Sequence, residues 1–206
     1  MSTLINGGQS KSDSNSQLTP MSRQSVIELG VEALNEAGSE SICKVCIKYG
    51  GSCCIGCRHL VNGLGCTTRN TSCTAWLCGY LKFVLYATSQ HEQWNEFWKQ
   101  VPGQSYREDD TPAYFTVEKS LDMRTSRKLG EALGADLQEL ATKHREPGYI
   151  PMLRDKIDYN IDRLNHCKHD PRRRARTEKN IRTLSSPFHR FHNALQEYHQ
   201  RIGESE

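Results

Sequence analysis

Long apolar runs are absent from this 206-residue chain. The best candidate, Ala75–Thr88, is short and broken by Lys82, below the roughly 20 residues a membrane-spanning helix needs. No membrane role is expected. The opening MSTLINGGQSKSDSNSQ holds no apolar stretch of the kind a secretory leader carries, so a reducing, cytoplasmic setting is the expectation. Catalytic signatures are missing too. GGQS and YGGS lack the lysine and the strand-to-helix setting of a phosphate-binding loop. There is no G-x-S-x-G elbow and no H-E-x-x-H pair. Only one carboxylate cluster occurs, Glu108-Asp109-Asp110, and it reads as an exposed acidic turn rather than a cation site. No catalytic motif is apparent, which leans against an enzyme and leaves the question open. A net charge of +3 is too small to imply a partner by itself.

Asp and Glu are also absent from Cys43 to Cys78, and there cysteine concentrates. Cys43, Cys46, Cys53, Cys54, Cys57, Cys66, Cys73 and Cys78 are eight of the nine cysteines. Their pattern is C-x2-C-x6-C-C-x2-C-x8-C-x6-C-x4-C. Tetrahedral zinc takes four soft ligands, and iron–sulfur clusters take thiolates at similar reach. Two C-x2-C pairs, Cys43/Cys46 and Cys54/Cys57, suit either if a tight turn brings both sulfurs to one centre. Gly50, Gly51, Gly56, Gly63 and Gly65 supply backbone freedom for such turns. Lys44, Lys48, Arg58 and Arg69 are expected to favour the thiolates that bind metal. A disulfide framework is the competing reading, and it needs an oxidising compartment. The adjacent pair Cys53-Cys54 is awkward in both. Spacing leaves zinc against iron–sulfur, and one site against two, open.

The run C-x2-C, then CC, then CRHLVNGLGCTTRNTSCTAWLC resembles a family of zinc- or iron-chelating domains named for its CxxCxxCC run (YkgJ-like). The matching positions are Cys43, Cys46, Cys53, Cys54, Cys57, Leu60, Gly63, Cys66, Cys73 and Cys78. Six residues separate Cys46 from Cys53, and Arg69 stands closer to Cys66, than in that pattern. The resemblance covers about 40 of 206 residues and implies a chelating domain. Flagellin lysine methylases carry a similar cysteine run, but no methyl-donor site is seen here.

The remainder reads as mostly α-helical, with about six helices around an irregular cysteine-rich metal-binding module. Residues 1–20 form a polar tail expected to be disordered, and residues 21–206 form a single domain, with the module at 41–80. Ser22 is placed to cap a helix running to Ala37, ended by Gly38. Trp76, Leu77, Tyr80, Leu81, Val84 and Leu85 make a wide helical stripe, expected to be the most buried. Ser89-x-x-Glu92 reads as a capping box for a helix carrying Trp94, Phe97 and Trp98, whose spacing favours core packing over ligand stacking. Residues 102–115 read as loop. Thr116–His144 reads as helical, broken at Gly130 and Gly134, with Leu129, Leu133, Leu137 and Leu140 inward. Pro151 opens a helix in which Leu153, Ile157, Ile161, Leu164 and Cys167 face the core. His166 and His169 read as a solvated helix end. Ser186 and Pro187 are expected to start a last helix with Phe188, Phe191, Leu195, Tyr198 and Ile202 on one seam, packed on its own core rather than on a sister chain.

Between them lies a basic run: Lys168, Arg172, Arg173, Arg174, Arg176, Lys179 and Arg182, against only Asp170 and Glu178. Locally concentrated charge is the footprint of phosphate binding. It also suits a solvated face or an acidic protein partner. With the basic and amphipathic helices at 168–206, the leading expectation is a metal- or iron–sulfur-stabilised binding or regulatory protein contacting nucleic acid. An iron–sulfur redox or enzymatic protein, and a zinc-stabilised protein-interaction adaptor, are the alternatives.

Overall fold

A computed structural model describes residues 18–52, 57, 59–61, 65–66, 69–105, 108–144, 146–167 and 169–204. The polar tail up to residue 17 lies outside the described residues. Its expected end does not: Thr19 and Pro20 belong to strand β1, Thr19–Ser22, paired antiparallel with β6, Tyr114–Val117.

The fold is mostly helical, with nine helices among the described residues. None is long and apolar enough to cross a membrane. α1 (Arg23–Glu36) begins where Ser22 accepts a hydrogen bond from Ser25 N and closes a reciprocal capping box. Its C-cap is Ala37, and Gly38 follows at φ 74°, a left-handed turn that costs glycine nothing. α2 (Ser39–Lys48) starts there, with Glu40 in its first turn and Lys48 in its last, both complementing the helix dipole. Thus the first C-x2-C pair sits on a helix, not on the expected loop. The short antiparallel pair β2 (Leu60–Val61) and β3 (Gly65–Cys66) follows, then α3 (Thr71–Ala75), α4 (Gly79–Ala87) and α5 (His91–Trp98). β4 (Gln104–Ser105) and β5 (Glu108–Asp109) form a small hairpin inside the segment read as loop. α6 (Arg127–Lys143), α7 (Tyr149–His166), α8 (Pro171–Ser185) and α9 (His189–Gly203) complete the chain.

α4 is the central element, as its stripe predicts. Tyr80, Leu81, Phe83, Val84 and Leu85 are buried, and the Tyr80 hydroxyl donates to Ile150 O of α7 at 2.7 Å. Gly79 lets the two helices touch, since a Cβ there would fall 2.1 Å from Arg154 O. Lys82, the break in the apolar run, reaches Asp158 and Asp162 of α7 at 2.9 and 2.7 Å. Phe83 meets Phe191 and Phe188 with ring centroids 4.9 and 5.8 Å apart, so the last helix packs on the core.

Three local expectations are corrected. α6 starts only at Arg127 and runs unbroken through Gly130 and Gly134. Those glycines, one turn apart, form a trough for the start of α2: Cβ atoms there would lie 2.3 Å from Ala37 O and 2.9 Å from Ser41 O. At α5, Gln90 is the N-cap without a side-chain bond. Its buried side chain instead donates to Thr88 Oγ1 and accepts from Arg124 N, so no capping box forms. Ser186 ends α8 and does not start α9. The carboxylate of Asp136, buried on α6, accepts from Phe191 N at 2.9 Å and Arg190 N at 3.3 Å, capping α9 from another helix.

Candidate functional site

Cys43 and Cys46 lie one turn apart on α2, both near enough to Cys78 to feel its charge. Glycine is needed at 51, because a Cβ there would fall 2.2 Å from Cys46 Sγ. Cys73 lies in α3, a five-residue helix held from both ends of its first turn. Asn70 Oδ1 accepts from Cys73 N at 2.8 Å, and Asp109 accepts from Thr71 N and Thr71 Oγ1, each at 2.9 Å. The acidic turn thus positions a cysteine-bearing helix, which is why Asp109 is not a solvated acid. Cys78 is the buried N-cap of α4. Cys43, Cys73 and Cys78 all line one groove.

Burial pushes the Cys43 thiol up to about 12, with the nearby sulfurs of Cys78 and Cys46 adding to the rise and Arg69 opposing it. Cys46 is raised by burial and by Cys78, against Arg154. Arg69 does favour the Cys43 thiolate, as the sequence suggests, but burial outweighs it. Ionising Cys43 and Cys46 together needs more positive charge than the arginines supply, and a coordinated cation is the kind of charge that deprotonates thiols outright. Arg154 is the contributor the sequence reading missed. It projects from α7, with Nη1 3.9 Å from Cys46 Sγ and 3.3 Å from Ser52 O, while Nε donates to Asp155 at 2.8 Å. Its signal was an arginine occupying the buried stripe between Ile150 and Ile157.

The donor chemistry of this trio suits zinc or an iron–sulfur cluster. Among the described residues, however, no three Cys, His, Asp or Glu side chains converge closely enough to hold an ion. Cys53, Cys54 and Arg58 lie outside the described residues, as does the Cys66 side chain; Cys57 is half-buried. Comparison of the chain with family models, with curated proteins and with solved structures finds no match.

The basic run lies on α8. Lys168 is outside the described residues; Arg172, Arg173, Arg174, Arg176, Lys179 and Arg182 are all exposed. Thr177, Ile181 and Ser185 face inward. Arg172, Arg176 and Lys179, at i, i+4 and i+7, occupy the opposite side. Arg174 pairs with Glu178 at 2.9 Å, and Arg173 reaches Asp170 at 4.0 Å. Asp170 caps the helix through Arg173 N. Cys167 is buried at the α7 C-cap, away from this face, while His166 and His169 are exposed. Trp94 and Trp98 are core residues, 5.5 Å apart by ring centroid.

Proposed function

We propose that this chain is a nucleic-acid-binding or regulatory protein whose cysteine-rich segment is stiffened by zinc or an iron–sulfur cluster. The observation that carries the reading is the first turn of α8. Arg172, Arg173 and Arg174 stand at a helix N-terminus, exposed, where cations oppose the helix dipole. The fold offers little in return: among the described residues Arg173 and Arg174 have carboxylate partners, both surface pairs worth little. A local rule broken without structural gain marks a functional surface, and phosphate is the ligand that suits both helix N-terminus and arginine. Cys43, Cys46 and Cys78, with Cys73 beside them, would supply thiolate ligands together with cysteines beyond the described residues. The bound centre would contribute folding free energy to that segment.

The test is a binding isotherm on an oligonucleotide at several salt concentrations. Changing Arg172, Arg173 and Arg174 to Ala should lower affinity and reduce the slope of log K against log salt by about 2 to 3, taking 0.7–0.9 per lost phosphate contact. An unchanged slope rejects the assignment. Anaerobic purification followed by elemental analysis tests the metal: neither zinc nor iron at stoichiometric level would reject that half.

A further inference from the structure

A groove of about 1190 Å³ runs from the cysteines to the start of α8, larger than the roughly 300–1,000 Å³ of a small-molecule pocket. Trp76, between Cys73 and Cys78, stands on its wall and is 42% exposed, whereas Trp94 and Trp98 are 1% and 5% exposed. Of the three indoles, Trp76 is thus the one with a substantial part of its surface open to this groove. Arg69, Lys99 and Arg174 line the same groove, as does the half-buried Tyr86. Two carboxylates line it too, Glu92 and Glu96, and Glu96 is engaged by Lys119 at 2.6 Å.

We infer that this groove takes single-stranded nucleic acid, with Trp76 stacking on an unpaired base and Arg69, Lys99 and Arg174 holding the flanking phosphates. Aromatic faces set in a cationic channel are the general solution for single strands, since every base has a face to stack. A duplex keeps its base faces covered by its own stacking, so it can meet the arginines but not the indole. The inference rests on the α8 reading, because Arg174 belongs to both surfaces, and it adds the strandedness of the target.

The experiment titrates the purified, metal-replete full chain with a 15-nucleotide oligo(dT) and with a 15-base-pair duplex, following tryptophan emission and anisotropy of a labelled strand. The single strand should quench the emission and the duplex should not. Trp76→Ala should weaken single-strand binding by about 5- to 150-fold, the range for one lost base–aromatic stack, abolish the quenching and leave duplex binding unchanged. Trp76→Phe should restore most of the affinity, which separates stacking from misfolding. Equal affinity of wild type and Trp76→Ala for the single strand, or no preference for single strand over duplex, overturns the inference. If the α8 triple variant still weakens binding in that case, the α8 reading survives alone. If Trp76→Ala weakens binding and the triple variant does not, stacking at Trp76 stands, Arg174 is removed from the phosphate contacts, and the α8 reading falls.

Discussion

Gly130→Ala should destabilise the protein although alanine is the better helix former. In an exposed helix the exchange would gain about 1 kcal/mol. Here the new Cβ would sit 2.3 Å from Ala37 O, 2.5 Å from Gly38 Cα and 2.8 Å from Gly38 O. Carbon–oxygen contacts close at about 3.3–3.6 Å, so the start of α2 must retreat by about 1 Å. All three opposing atoms are backbone, which cannot swing aside as a side chain can. Overpacking of this kind costs about 1–3 kcal/mol, and a backbone clash belongs at the upper end, leaving a net loss of about 1–2 kcal/mol after the helix gain. For a chain of this length that lowers the melting temperature by roughly 2–8 °C. Gly134→Ala, with its nearest contact at 2.9 Å, should cost less. Gly203→Ala, with nothing within 4 Å, should cost nothing. The assay is thermal and urea unfolding of the three variants. A Gly130→Ala protein as stable as wild type would show that α2 is not seated in this trough. Because α2 carries Cys43 and Cys46, the same variant should also hold less metal under competition from a chelator.

Asp136→Ala should cost about 2–4 kcal/mol in urea melts, combining a lost cap with buried donors left unpaired; Asp136→Asn should cost less, and equal stability of Asp136→Ala and wild type would refute the inter-helix cap. Asp109 should make the fold acid-sensitive. Burial raises its pKa, but hydrogen bonds from Thr71 and Thr111 outweigh that and hold it below its ordinary 3.8. A carboxylate depressed on folding stabilises above its unfolded pKa and loses that contribution as pH falls through the folded value. The stability gap between wild type and Asp109→Asn should therefore be widest near neutrality and close below pH 3.8, and a gap that does not narrow in acid would count against it. Cys43→Ser should lose bound metal and melt at lower temperature, whereas Cys167→Ser should keep its full metal content; the reverse result in elemental analysis would misplace the centre.

What was legible in the sequence was chemistry acting over one or two turns. Ser22 and Gly38 bracket α1, and the stripe from Trp76 to Leu85 marks the most buried helix, because caps and helical periodicity are written in adjacent residues; only Trp76 departs from it, since it ends α3 in extended backbone before α4 begins and is 42% exposed. Contacts made across the fold were not legible. Gly130 and Gly134 look like helix breakers until α2 is laid against them. Asp136 caps a helix 54 residues away and Asp109 one 38 residues away, so nothing near Ser186 or Asn70 reveals the partner. Gln90 is drawn into the core by Thr88 and Arg124, which takes the place of the box expected from Ser89 and Glu92. Arg154 was visible only as a charge in an apolar stripe. At the candidate site the spacing singled out cysteines as candidate ligands. It could not show that Cys43 and Cys46 ride on a helix, or that burial outweighs their basic neighbours.

Cys167 has a use that follows from where it lies. Its thiol is shut in behind the joint of α7 and α8, whereas Cys43, Cys57 and Cys73 retain some contact with solvent. Alkylation followed by peptide mass mapping would thus run two clocks in one tube: a fast one for the partly exposed thiols of Cys43, Cys57 and Cys73, and a slow one at Cys167 that advances only when the helical body itself comes apart.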